Sequence, residues 1–348
     1  MQIYMAPMEG ITDYVYRNTF EKIFGGVDRY FTPFITPTSV KKFQTKELDN
    51  IDPEKNDVNM VVPQILTNNP DHFMWATEEI KARGFSEVNL NLGCPSGTVV
   101  AKRKGSGLLR YTDELEEFLE AVFDGCDKIG MNLSLKTRLG LDNPDEFYEI
   151  LDIYNRFPIY ELTVHPRIRK DFYREPIRPE YFDYAYANSV NPLVYNGDLT
   201  TISDIASCFE KYPKVDSVMI GRGLLSDPGF PAAAKRMILT RKDSNSDSVI
   251  NAVTNKAISI KPEYSSTDIS GYQTEINRLF EFHDILLEKF RERLSGDNPV
   301  LYHMKDVFTY MSVRFKDDER LVKNVLRSKK LSEYQTAVSI LFEYEKNK

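Results

Sequence analysis

Short runs of apolar or alternating residues recur through the first two thirds of the chain, and between them apolar positions return every three or four residues. The β-type runs are 2–7 (QIYMAP), 28–34 (DRYFTPF), 59–66 (NMVVPQIL), 87–92 (EVNLNL), 132–138 (NLSLKTR), 159–165 (IYELTVH), 192–196 (PLVYN) and 217–221 (SVMIG). Helical spacing is clearest over 71–83, 113–124 and 144–155. Strands alternating with helical segments predict parallel strands joined by crossovers. Eight such units within roughly 240 residues predict an α/β fold of the TIM (β/α)8 barrel type, with a doubly wound sheet as the competing architecture.

Beyond residue 240 the pattern changes. Residues 241–272 are polar and rich in Ser and Asn, which predicts a linker or a surface excursion. From 273 to 348, four segments carry apolar residues at helical spacing and predict a C-terminal all-α helical bundle. The expected organisation is therefore a barrel over 1–240, a polar linker over 241–272 and a helical domain over 273–348.

Composition narrows the class. The chain has 348 residues, 41% hydrophobic and 28% charged, enough for a large core. No apolar run approaches the roughly 20 residues that cross a bilayer, and the apolar start of the chain gives no sign of a secretion signal, so no membrane is expected. The three cysteines, Cys94, Cys126 and Cys208, have no CxxC spacing; neither a disulfide framework nor a metal site is expected, and a cytoplasmic monomer is. The net charge of −7 argues against a protein that coats nucleic acid, but leaves room for a local basic face.

In a barrel of this kind chemistry gathers at the C-terminal ends of the strands. Here those ends carry Pro7 and Met8, Gln64, Asn91 followed by Gly93 and Cys94, Lys136 and Arg138, His165 and Arg167, Asn196-Gly197-Asp198, and Gly221-Arg222. Each has a plain alternative. Lys136 reads as a snorkelling lysine paired with a carboxylate or as a fixed cation in the barrel mouth. His165 reads as a core histidine or a site group, and Gln64 and Asn196 as strand-end hydrogen bonders or ligand contacts. Gly197, Gly221 and Arg222 follow the seventh and eighth strands, where such barrels commonly hold phosphate.

Taken together, MAPMEGITD, QIL, NLNLGCPSGTVV, KTRLG, TVHPR, YNGDL and IGRGLLSDP resemble, in order and approximate spacing, the motifs of the tRNA-dihydrouridine synthases. The resemblance spans the barrel and reaches LYHMKDVFTYM in the helical domain. It implies an FMN-dependent enzyme that uses NADPH to reduce the 5,6 double bond of particular uridines in tRNA. By the same resemblance Pro7 and Met8 pack near the flavin ring and Gln64 meets its edge, with Lys136 and His165 on its polar side. Asn196, Gly197, Asp198, Gly221 and Arg222 are implied around the ribityl phosphate. Asn91 is implied to position the uracil, and Cys94 to be the general acid: hydride reaching carbon 6 builds negative charge toward carbon 5, which a thiol facing it can protonate.

The segment after Cys94, PSGTVVAKRKGSG, is basic and glycine-bearing and predicts a flexible loop that covers substrate; the family resemblance, in which a lysine aligns with Lys102, implies that residue as a contact. Val100 stands where family members often carry asparagine. A target nucleotide inside folded tRNA must be turned out into the mouth, so flanking cations are expected. Arg138, Arg167, Arg169 and Lys170 supply one set; Arg320, Lys323, Arg327 and Lys330, read as one helix face, supply another, against the alternative of a solvated face. Two competing functions are a flavin barrel acting on a free pyrimidine, as in dihydroorotate or dihydropyrimidine dehydrogenases, and an RNA-binding protein without catalysis.

Overall fold

The computed structural model describes residues 1–243 and 269–348, and the expected linker falls almost wholly outside the described residues. The described chain divides into two compact units. The first comprises 1–9, 28–199 and 208–220; the second comprises 10–27, 200–207 and 221–348. The compact units thus do not follow a single cut at residue 240, because segments early in the chain pack with the C-terminal helices.

The first unit holds a parallel sheet of nine strand segments: β1 (Gln2–Met5), β2 (Arg29–Phe31), β3 (Val61–Val62), β4 (Gln64–Ile65), β5 (Glu87–Leu92), β6 (Asn132–Arg138), β7 (Leu162–His165), β8 (Leu193–Asn196) and β9 (Ser217–Ile220). Their order is β3-β2-β1-β9-β8-β7-β6-β5-β4. The two ends of this order are separated in the chain only by Pro63, so the sheet returns on itself as a TIM barrel. Pro63 lacks the N–H that a continuous strand would use, which splits the expected strand 59–66 into β3 and β4. Its carbonyl still accepts from Asn89 N at 2.9 Å.

Alternation decides what fills the barrel. Along β5, Val88, Leu90 and Leu92 are fully buried against the outer layer, and Glu87, Asn89 and Asn91 share the opposite, inward face. Tyr4, Ala6, Phe31, Val62, Val194 and Met219 form a buried apolar cluster in the sheet. The helix Thr112–Ile129 buries Leu115, Phe118, Leu119, Val122, Phe123 and Cys126 on one stripe and ends at Gly130, whose φ of 64° forms a left-handed cap. Cys126 is therefore helix-core filling.

In the second unit, Asp13 caps the helix Tyr14–Ile23 by accepting from Tyr16 N at 3.0 Å. Phe20 and Phe24 of this segment pack edge-on against Phe282 of the helix Ile269–Arg293. The helices Asp297–Met311, Glu319–Arg327 and Leu331–Lys346 complete the helical region. Phe282, Leu286, Phe290, Met304, Phe308, Tyr334 and Phe342 are buried in its core.

Candidate active site

Cys94 is half-exposed, three residues past the inward-facing Asn91. Its backbone is held on both sides. Asn91 Oδ1 accepts from Gly93 N at 3.0 Å and Cys94 N at 2.9 Å. The Cys94 carbonyl accepts from Ser106 Oγ at 2.8 Å and Ser106 N at 3.2 Å. The flanking carbonyls are also occupied: Arg138 Nε donates to Gly93 O at 2.9 Å and Arg169 Nε to Pro95 O at 3.2 Å. Burial pushes the thiol above the usual cysteine range, opposed by the backbone N–H of Ser96 and the charges of Arg138 and Lys136. This favours the protonated thiol.

The segment after Cys94 carries local helical structure. Residues Gly97–Val100 form a short helix and Gly105–Arg110 a 3₁₀ turn. A Cβ on Gly105, whose φ is +56°, would lie 3.0 Å from Cys94 Cβ, and one on Gly107 would lie 2.8 Å from Val100 Cα. Gly105 and Gly107 thus permit close packing, and Val100 is the surface on which Gly107 rests. Lys102 is exposed, and its carbonyl accepts from Asn68 Nδ2 at 3.2 Å.

Beneath Cys94 a buried polar column runs through the barrel. Asn91 Nδ2 donates to Gln64 Oε1 at 2.7 Å, Gln64 Nε2 to Asn89 Oδ1 at 2.8 Å, Asn89 Nδ2 to Ser134 Oγ at 2.9 Å, and Ser134 Oγ to Glu87 Oε1 at 2.6 Å. Glu87 pairs with Arg29, which also reaches Glu161 at 3.2 Å; Tyr4 OH donates to Glu161 at 2.8 Å. Burial raises the Glu87 carboxyl against the pull of Arg29. Gln64 is fully buried with both ends of its amide engaged, one layer below the mouth. The sequence reading missed Asn89, Ser134, Glu87 and Arg29, although the alternation Glu-Val-Asn-Leu-Asn-Leu already placed three polar groups on one face.

Register places the other strand-end groups at two successive levels: Asn91 pairs with Lys136, and two residues further along β6 Arg138 pairs with His165. The Lys136 ammonium makes no hydrogen bond or ion pair with any described residue, contrary to the snorkelling alternative, and burial first, then Arg138, pushes it down to about 7. His165 Nε2 lies 3.0 Å from Arg167 Nη1, and Tyr173 stacks on the imidazole with centroids 6.2 Å apart. Pro7 and Met8 follow β1, both half-buried. Asn196 donates to Met219 O at 2.7 Å, and a Cβ on Gly197 would meet Ile177 at 3.1 Å.

The expected substrate cations differ in placement. Arg138 is 2% exposed and donates to Ile168 O at 3.0 Å and Phe172 O at 2.8 Å in addition to Gly93 O. Its guanidinium ties the Cys94 segment to the chain after β7, a structural task that the sequence reading did not assign. Arg167, also 2% exposed, pairs with Asp198 at 3.0 Å and donates to Glu175 O at 2.6 Å. Arg169 is half-buried, and Lys170 is exposed and 3.0 Å from Asp142. In the second unit Gly221 precedes the short helix Arg222–Ser226. Arg320, Lys323 and Arg327 are exposed on the helix Glu319–Arg327, with Lys323 paired to Glu319 at 2.6 Å. Lys330 does not share that helix: Ser328 turns extended (φ −54°, ψ 139°) and Lys330 caps the next one.

Among the described residues no group of acidic, histidine and cysteine side chains could hold a metal, and no helix is long and apolar enough to cross a membrane. The chain is 31% identical over 239 residues to a tRNA-dihydrouridine(16) synthase of Vibrio vulnificus, covering 66% of this chain and 73% of that protein. It is 30% identical over 233 residues to a probable tRNA-dihydrouridine synthase of Staphylococcus aureus, covering 64% and 68%. Morphinone reductase superposes with a TM-score of 0.48 at 11% identity over 67% of this chain and 85% of that one, a likeness too distant to carry an argument. The profile of the dihydrouridine synthase (Dus) family matches residues 4–294, and with the relatives above this establishes that the chain belongs to the dihydrouridine synthase family.

Proposed function

We propose that this dihydrouridine synthase reduces the 5,6 double bond of a uridine in tRNA, with FMN as the hydride carrier, NADPH as the reductant and Cys94 as the proton donor. The observation that carries this reading is a cysteine at a strand end whose peptide N–H and carbonyl are both hydrogen-bonded, beside a lysine ammonium that has no hydrogen-bond or ion-pair partner among the described residues.

The barrel mouth suits a flavin. Lys136 offers an unspent cation to an electron-rich ring edge, His165 ends the neighbouring strand β7, and Pro7 and Met8 offer apolar contact. Asn196, Gly197 and the backbone N–H of Asp198, whose carboxylate is taken by Arg167, are the candidates for the ribityl phosphate from β8; Gly221 and Arg222 are candidates because they directly follow β9 in the chain. When bound, a reduced flavin supplies hydride to carbon 6 of uracil. Cys94 gives its proton to carbon 5, so the pyrimidine gains one hydride and one proton, and the thiolate is then reprotonated from water. Lys136 and Arg138 favour that thiolate once it forms, while burial keeps it from forming beforehand.

The uridine must leave its stack to reach Cys94. Lys102, Arg169, Lys170 and the exposed Arg320, Lys323, Arg327 and Lys330 are the candidates for phosphate contact. The same reading takes the protein as a cytoplasmic monomer with tRNA as its macromolecular partner. The test is to reduce the purified, flavin-loaded protein with NADPH and follow reoxidation. Unmodified tRNA should reoxidise it; reoxidation by free uracil or orotate but not by tRNA would move the activity to a small-molecule pyrimidine reductase.

A further inference from the structure

We infer that Ser106 is a positioning residue for the reaction, acting through Cys94 by fixing the peptide that carries the thiol. This rests on the reading of Cys94 as the proton donor. The carbonyl of Cys94 receives two hydrogen bonds from one residue twelve positions later, from Oγ at 2.8 Å and from N at 3.2 Å, and Ser106 is fully buried. The preceding Gly105 sits with φ +56°, close enough that a Cβ would lie 3.0 Å from Cys94 Cβ and 3.1 Å from its carbonyl. The following Gly107 closes on Val100 in the same way, at 2.8 Å. Gly105-Ser106-Gly107 is thus a buttress pressed against the backbone of Cys94, whose N–H is held by Asn91.

Gly105, Ser106 and Gly107 are all buried, so their work is local: they set where the thiol points. A proton donor displaced by a fraction of an ångström from the forming carbanion loses rate steeply, while cofactor and RNA contacts elsewhere are untouched. Removing the Ser106 hydroxyl leaves one of the two bonds to the carbonyl and loosens the segment. The thiol then gains solvent and behaves more like an ordinary cysteine.

The experiment uses the full-length, flavin-loaded protein and the variants Ser106→Ala, Gly105→Ala, Cys94→Ala and Cys94→Ala/Ser106→Ala. Iodoacetamide reports on Cys94, because Cys126 and Cys208 are buried and burial pushes both thiols up to about 12. In Ser106→Ala and Gly105→Ala the midpoint of the alkylation pH profile should move down toward that of a free cysteine, with labelling near neutrality several-fold faster. Single-turnover reduction of tRNA should fall about tenfold while flavin content and tRNA affinity hold. The double variant should be no slower than Cys94→Ala alone, since the two residues act as one unit.

An unchanged alkylation profile in both single variants would overturn the inference, as would losses that multiply in the double variant. If Cys94→Ala kept full turnover, the acid assignment would fall, whereas the alkylation profile would still decide whether Ser106 positions the thiol.

Discussion

Asn91 accepts the backbone N–H of Cys94 at 2.9 Å while its own amide donates to Gln64 Oε1 at 2.7 Å. One side chain thus joins the proposed acid to the polar column that fills the barrel. The implied role of Asn91 in positioning uracil has to share the residue with this internal task, because its oxygen already receives two N–H groups.

Replacing Asn91 separates the two tasks. Asn91→Ala leaves Gly93 N, Cys94 N and Gln64 Oε1 without their partner, at a cost of about 1–3 kcal/mol for each group that finds no water. The melting temperature should fall and tRNA reduction should be lost. Asn91→Asp still accepts from both N–H groups but sets a carboxylate against Gln64 Oε1, so it should also destabilise, and more at high pH than at low. Melting curves at two pH values check this; equal loss at both would place the defect elsewhere.

Lys136 predicts a pH dependence for flavin retention. Its ammonium is pushed down to about 7 in the flavin-free site, and an electron-rich ring or anionic partner would raise it again. Binding then takes up protons above pH 7, and affinity should be flat below that value and weaken as pH rises through and beyond it. Isothermal titration of FMN in buffers of different ionisation enthalpy measures the proton uptake. Lys136→Met should abolish it and weaken binding at pH 7, by about 1 kcal/mol or more if the hydrogen bond is to a charged group.

Much of the barrel was legible because strand alternation and helical spacing are local properties. The expected limits 87–92 and 132–138 coincide with β5 and β6. The expected strand 159–165 begins only at Leu162, since Ile159 N is turned back to Phe157 O. The site was legible only in part. Cys94 and Lys136 announce themselves by residue type at a strand end, but Ser106 and Asn89 matter through partners 12 and 45 positions away, and the spacing of a sequence does not show such pairings. Glycine and lysine in PSGTVVAKRKGSG suggest flexibility; Gly105 and Gly107 instead stand where a Cβ would press on Cys94 and Val100. The face shared by Lys330 and Arg320 failed on a single residue, Ser328, that leaves the helix.

His303 predicts acid sensitivity in the helical unit. Its Nε2 is buried without a hydrogen-bond partner among the described residues, Phe290 packs on its ring, and burial pushes its pKa down, against Asp13 and Asp306 and together with Arg293. An unfolded histidine takes its proton near pH 6.5, whereas His303 in the fold resists it, so stability should decline as pH falls below about 6.5. His303→Leu should flatten that decline. Urea unfolding followed by helical circular dichroism at pH 7.5 and 5.5 gives the comparison, and an equal decline in both proteins would acquit His303.

The most direct measurement is the dihydrouridine content of unmodified tRNA after incubation with NADPH and either the wild-type protein or Cys94→Ala, read by mass spectrometry of the digested nucleosides. Wild type should form dihydrouridine, and the variant should retain flavin yet form it at least about a hundredfold more slowly, as expected when a general acid is removed. Equal product from both proteins, or none from wild type, would contradict the account.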